Sequence, residues 1–182
     1  MAFQLTSTAF EEGQPIPIEF TGEGRNTSPQ LKWTDPPKET RSLALICEDP
    51  DAPRGTFTHW LIFNIPSEAR ELPEGIDRRE GLANGTRQGR SDFGKVGYFG
   101  PKPPAGKPHR YFFKLFALDR MLEVPGGDTR EHLLAAMKGH VLAQAQLVGT
   151  YQQGGSRKIP DDPIEKKRLQ DPGAIHTAPQ AD

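Results

Sequence analysis

The 182-residue chain has a single cysteine, Cys47, so it cannot close a disulfide within itself. No stretch comes near the roughly 18 consecutive apolar residues that a membrane-spanning helix needs. The first ten residues, MAFQLTSTAF, lack the basic region and apolar core of a secretory signal. These absences point to a cytoplasmic protein with peripheral membrane contact at most. Charge of one sign is missing as well. Lys and Arg number 23 against 24 Asp and Glu, a formal net charge of −1, too small to gather nucleic acid or an anionic surface through a global field. No segment repeats at a fixed period, which excludes solenoid and propeller architectures.

Glycine and proline are abundant instead, at 19 and 18 residues, well above ordinary usage, so many turns must separate short elements. The length suits one domain over residues 1–151, followed by a polar, Pro- and Gly-rich tail over 152–182 with little to bury. Ile16, Ile18 and Phe20 alternate with Pro17 and Glu19 and predict a proline-tolerant edge strand over 14–20. The run Leu43–Cys47 is continuously apolar and too short for a helix, so it predicts a strand buried on both faces. Phe57 to Ile65 predicts its neighbour, with Phe57, His59, Leu61, Phe63 and Ile65 on one face and Trp60 and Ile62 on the other.

Residues 66–108 predict long loops with one short strand around Val96–Tyr98, and a strand follows over 110–118, placing His109, Tyr111, Phe113, Leu115 and Ala117 on one face. Asp128 and Thr129 open a helix with Leu133, Leu134 and Met137 as its apolar stripe and Gly139 as its stop. A last strand spans 141–151, and one helical turn is expected near 164–169 in the tail. The pattern is mainly β: an antiparallel two-sheet sandwich with one or two short helices.

The densest polar group is Asp49-Pro50-Asp51-Ala52-Pro53, two carboxylates fixed by prolines at the end of a buried strand, and either proline is a candidate for a cis peptide bond. His59 and His109 each lie on an otherwise apolar strand face and need polar partners, for which Asp49 and Asp51 are the candidates. A carboxylate taking the N–H of one imidazole nitrogen turns the other toward a bound oxyanion. Residues 87–114 hold seven Lys and Arg against the single acid Asp92, a local field suited to phosphate. The loop 100–108 fails as a phosphate-binding P-loop, because four prolines remove the amides such a loop needs. There is no Gly-x-Ser-x-Gly elbow, no paired metal-ligand spacing, and Cys47 lies in an apolar run, so no metal or cofactor is expected. His132, His140 and His176 read as ordinary surface or capping residues.

Four motifs together, CEDPDAP at 47–53, THW at 58–60, GYFGPKPPAG at 97–106 and HRYFFKLFAL at 109–118, resemble the phosphatidylethanolamine-binding protein family and its bacterial and archaeal Raf kinase inhibitor-like branch. Asn-Thr-Ser-Pro at 26–29 and Leu-Val-Gly-Thr-Tyr at 147–151 extend the likeness over residues 3–151. The resemblance implies a Greek-key-like β-sandwich and a pocket for phosphate-like anions or a phosphorylated headgroup, built from Asp49, Asp51, His59, His109 and Tyr111 with Tyr98 and Gly100 from the Pro-rich loop. It also implies a protein partner such as a kinase. After Tyr151 the sequence departs from the longer eukaryotic pattern, in which a C-terminal helix partly closes the pocket. The expected mechanism is non-enzymatic: protonated His59 and His109 and loop amides hold the oxyanion while Asp49 and Asp51 orient the donors. The alternatives are a hydrolase using the same Asp and His groups as acid and base, metal-assisted or not, and a scaffold that recruits partners through its tail. An exposed apolar strand face could also support a homodimer.

Overall fold

A strand covered on both faces must be apolar through most of its length. Ser42–Asp49 is such a strand: all eight of its residues are buried in the computed structural model, which describes residues 2–154. In chain order the elements are β1 (Leu5–Thr6), β2 (Leu31–Trp33), β3 (Ser42–Asp49), β4 (Phe57–Pro66), β5 (Glu71–Leu72), β6 (Arg87–Gln88), β7 (His109–Leu118), α1 (Arg130–Met137) and β8 (Val141–Tyr151). They form a three-stranded sheet ordered β1-β2-β5 and a five-stranded sheet ordered β6-β4-β3-β7-β8, with every strand pair antiparallel. The fold is the mainly β two-sheet arrangement expected, with one α-helix among the described residues.

Two cores lie on either side of β3. Leu43, Leu45 and Cys47 face the small sheet and pack with Leu31, Trp33, Leu72, Phe113 and Leu115. Ala44 and Ile46 face the opposite way, toward Leu133 and Met137 of α1 and Leu122 and Val124 of the preceding loop. Thr129 caps α1 by accepting the N–H of His132 at 3.4 Å. Leu134, expected in the apolar stripe, is 37% exposed.

Several local expectations are corrected. Residues 14–20 are not a strand: Pro15 makes one isolated bridge to Thr150, and Ile18–Phe20 is a single 3-10 turn, because Pro15 and Pro17 remove donors that a ladder needs. Val96 makes only a bridge to Arg90. All described peptide bonds are trans, those preceding Pro50 and Pro53 included. The alternation of β4 is broken twice, by register shifts against β3 between Leu43 and Leu45 and between Cys47 and Glu48. Each shift inserts one extra residue into β4 and flips the facing of the residues beyond it. Asn64, at φ 52°, sits in the first, and its amide both donates to and accepts from Leu122 backbone atoms. Ile65 therefore joins Trp60 and Ile62 in the core beneath the small sheet, whereas Leu61 and Phe63 face α1. The polar tail beyond Gly154 and the turn expected near 164–169 lie outside the described residues.

Candidate functional site

The second irregularity of β4 falls at His59: Cys47 pairs with Trp60 and Glu48 with Thr58, leaving His59 unmatched. A bulge of this kind re-aims a side chain. His59 turns toward β7, where its ring meets Tyr111 edge-on at 5.2 Å between centroids, on the same side of the sheet as Trp60. Its Nδ1–H donates to the Phe99 carbonyl at 2.6 Å. That bond fixes the tautomer, so the neutral ring offers Nε2 as an acceptor and the protonated ring offers it as a donor.

His109 opens β7 beside the end of β3. Its Nδ1 lies 2.6 Å from Asp49 Oδ2, and the second Asp49 oxygen accepts the Asp51 N–H at 2.8 Å. Asp49 is buried and both its oxygens are occupied, so it orients His109 and leaves the other imidazole nitrogen for a ligand. Asp51 is turned away. Its carboxylate takes the backbone N–H, Nε and Nη2 of Arg110, each at 2.9 Å, and the Arg110 guanidinium holds its pKa down to about 2. Asp49-Pro50-Asp51 is thus one inward orienting group and one outward latch.

His59, His109, Asp49 and Tyr111 line a cavity of about 140 Å³ with Phe57 and Phe93, and Ala52, Pro53, Lys102, Pro103 and Pro104 complete its wall. Burial keeps the Tyr111 phenol protonated, with the charge of Asp49 acting the same way. Burial also pushes the His59 imidazole below its ordinary value, against the opposing pull of the Phe99 carbonyl, of Asp49 and Asp92, and of the Gly100 backbone. This alters the expected picture of two protonated imidazoles: His59 is disposed to be neutral until a ligand or acid brings a proton. Lys102 supplies the cationic rim, its stem lying over Gly22, where an added Cβ would meet Lys102 Cβ at 2.9 Å.

Tyr98 and Gly100 do not line this cavity. The Tyr98 hydroxyl donates to the Phe20 carbonyl at 2.6 Å, and Gly100 N–H donates to Asn26 Oδ1 at 2.6 Å. A Cβ on Gly100 would lie 2.1 Å from the Phe20 oxygen, so only glycine allows the approach. Both residues clamp the 97–101 segment against residues 20–26 and so place the Phe99 carbonyl that holds His59. The sequence reading missed Phe93, which has no periodic context; it packs on Phe57 at 4.7 Å and remains 42% exposed at the mouth. Phe57 shares the alternation of His59 and was legible as a neighbour, but nothing marked it as cavity wall. A wider groove of about 870 Å³ between Pro36, Arg70 and Ala143 gathers no imidazole among the described residues; of its two acids, Asp35 is already bonded to Arg70 at 3.0 Å and Glu68 accepts from the Ser67 hydroxyl at 3.4 Å. Among the described residues no three His, Cys, Asp or Glu side chains converge as a metal site requires, and no helix is long and apolar enough to cross a membrane.

Comparison with known proteins adds a second line of evidence. The family model described as phosphatidylethanolamine-binding protein matches residues 6–152. A UPF0098 protein of Methanothermobacter thermautotrophicus is 48% identical over 150 residues, covering 82% of this chain and 99% of the relative. A UPF0098 protein of Aquifex aeolicus is 45% identical over 152 residues, covering 82% and 88%. Among solved structures, a Chlamydia trachomatis protein described as a homolog of phosphatidylethanolamine-binding protein superposes with a TM-score of 0.76 at 41% identity, over 84% of this chain and 98% of the other. Escherichia coli YbcL, described as a new member of the mammalian family, gives 0.78 at 36% identity, over 84% and 99%.

Proposed function

The chain belongs to the phosphatidylethanolamine-binding protein family, and on that footing we propose that it is a cytoplasmic, non-enzymatic binding protein that holds a phosphate-like anion or a phosphorylated headgroup between His59 and His109. The observation that carries this is the convergence of two imidazoles, each with Nδ1 engaged at 2.6 Å by a fixed acceptor, on one small cavity with a lysine at its rim. Pinned rings lose little freedom on binding, so a ligand meets ring nitrogens already in place. A phosphate species that keeps a P–OH, H2PO4⁻ or HPO4²⁻, satisfies neutral His59 by donating it to Nε2, while a phosphate ester dianion, which has no P–OH, requires that ring to take up a proton from solvent. His109 and Lys102 then meet the remaining charge, and the Tyr111 hydroxyl supplies one further donor. Occupancy changes the charge at the cavity mouth, which a protein partner such as a kinase can read.

The competing hydrolase reading draws on the Asp49–His109 pair, an orientation used in general base catalysis. Against it, no Ser, Thr or Cys among the described residues lines the cavity, and burial raises the Cys47 thiol well above its ordinary value. The deciding experiment is an NMR titration with phosphate and phosphoethanolamine, following the imidazole signals beside a phosphoester turnover assay. Saturable shifts at His59 and His109 without turnover are expected. Absence of shifts at millimolar ligand would refute anion binding there, and turnover abolished in Asp49→Asn would establish the hydrolase instead.

A further inference from the structure

On the reading of the cavity as an anion site, we propose that Asp92 is the positioning residue for His59: it holds the bulge of β4 that turns this imidazole into the cavity, and it seats Phe93 against the ring at the mouth. Asp92 is the single acid among seven Lys and Arg over residues 87–114, yet it forms no ion pair among the described residues. It bonds to backbone instead. Its Oδ2 accepts the Thr58 N–H at 2.7 Å, and its own N–H donates to the Thr58 carbonyl at 2.9 Å. The next residue is held in the same reciprocal way by Phe99, whose carbonyl takes the His59 Nδ1–H at 2.6 Å and whose N–H reaches the His59 carbonyl at 3.2 Å. Successive residues of a regular strand bond to opposite edges. Thr58 and His59 both bond to the segment 92–99, which the extra residue of the bulge allows.

The bulge has a regular competitor. An unbulged β4 that kept Trp60 opposite Cys47 would pair His59 with Glu48 and send its ring to the face of Leu61 and Phe63, away from the cavity. Asp92 favours the bulged form because a carboxylate makes a stronger bond to an N–H than a neutral acceptor does. Thr58 is buried, so its N–H has no ready substitute in water once that carboxylate is removed.

Residues 91–95 close on themselves: the Ser91 N–H and hydroxyl both donate to the Lys95 carbonyl at 2.9 Å, and the Gly94 N–H donates to the Ser91 carbonyl at 2.9 Å. Phe93 therefore moves with Asp92. Its ring lies 4.7 Å from that of Phe57 and 5.5 Å from that of His59, the two side chains flanking Thr58. One residue grips the backbone and the next covers the rings on either side of the grip. Each histidine of the cavity thus has its own acid: Asp49 orients His109 by direct contact, and Asp92 orients His59 through the backbone of Thr58.

The test is NMR of the full chain in three forms, wild type, Asp92→Ala and Asp92→Asn, reading the His59 ring signals, exchange of the Thr58 amide and phosphate titrations beside thermal melts. Asp92 is exposed, so neither variant opens a hole in the core. Asp92→Ala is expected to shift the His59 signals of the free protein, to speed Thr58 amide exchange and to raise the phosphate dissociation constant about fivefold or more. Asp92→Asn keeps an acceptor for Thr58 and returns all three toward wild type. A role confined to stability would lower the melting temperature of Asp92→Ala with the His59 signals and the affinity unchanged, and that result overturns the proposal. Asp92→Asn behaving like Asp92→Ala overturns it too. A wild-type chain that takes up no phosphate refutes anion binding by itself. The ligand-free signals then decide about Asp92: a His59 ring unmoved in Asp92→Ala overturns its positioning by Asp92, and a ring moved in Asp92→Ala and restored in Asp92→Asn upholds it.

Discussion

Asp49 and His109, the last residue of β3 and the first of β7, meet at 2.6 Å between Oδ2 and Nδ1, and the other Asp49 oxygen receives the Asp51 amide two residues on. One buried carboxylate therefore fixes both an imidazole and the turn after it. The neighbouring carboxylate of Asp51 makes three bonds to Arg110 and none into the cavity. Two acids that look equivalent in sequence have different duties.

Asp49→Asn and Asp51→Asn should consequently behave differently. The amide at 49 cannot accept on both sides, so His109 loses its orientation and phosphate affinity falls by about tenfold or more, equivalent to about 1.4 kcal/mol. Stability falls by about 1–3 kcal/mol because a buried polar group loses its partner. Asp51→Asn, at the surface, leaves affinity within about twofold. Isothermal titration of both variants checks this; equal losses would put Asp51 back in the binding site.

His59 sets a pH dependence whose sign comes from its environment. Burial lowers its folded-state value below the ordinary 6.5, so between those two values the unfolded chain binds more protons than the folded one. Its contribution to stability is full above about pH 6.5 and is lost as pH falls toward the depressed folded value. Denaturant unfolding at pH 7.5 and pH 5.5 should show lower stability in acid, with a smaller difference in His59→Gln. Binding runs the other way. Sulfate, a dianion at both values, is held better by the protonated ring and should bind more tightly at the lower pH, and a pH-independent affinity would exclude His59 from the contact.

The architecture was legible because hydrophobic period and strand burial agree: Leu43–Cys47 sits between two cores, and the alternation from His109 to Ala117 runs unbroken. The short strands of the small sheet were not legible, since Leu5–Thr6 and Glu71–Leu72 are two residues long and too brief to show a period. His59 was found as a candidate but assigned to the face of Leu61 and Phe63, because a bulge is set by the pairing with β3 and leaves no mark in β4 itself. Phe93 and Lys102 reach the cavity on loops whose course depends on contacts far away in sequence, such as Gly22 N–H to Pro101 O at 2.7 Å. The chemistry of the site was visible in residue types; its division into orienting and outward groups required the fold.

Gly100 and Tyr98 offer a test of whether the cavity depends on the clamp behind it. Tyr98→Phe removes only the bond to the Phe20 carbonyl and should cost about 1–2 kcal/mol, with ligand affinity nearly preserved, because the ring still packs on Trp60 at 5.4 Å. Gly100→Ala forces a methyl to within 2.1 Å of the Phe20 oxygen, so the 97–101 segment must move. That displacement carries the Phe99 carbonyl away from His59 Nδ1 and frees the imidazole to rotate. The expected result is a loss of about 2–4 kcal/mol in stability and a weakening of phosphate binding larger than Tyr98→Phe produces. Thermal melts paired with phosphate titrations separate the two effects. If Gly100→Ala lowers the melting temperature while leaving affinity at the level of Tyr98→Phe, the Phe99 carbonyl is not what holds His59 ready for a ligand.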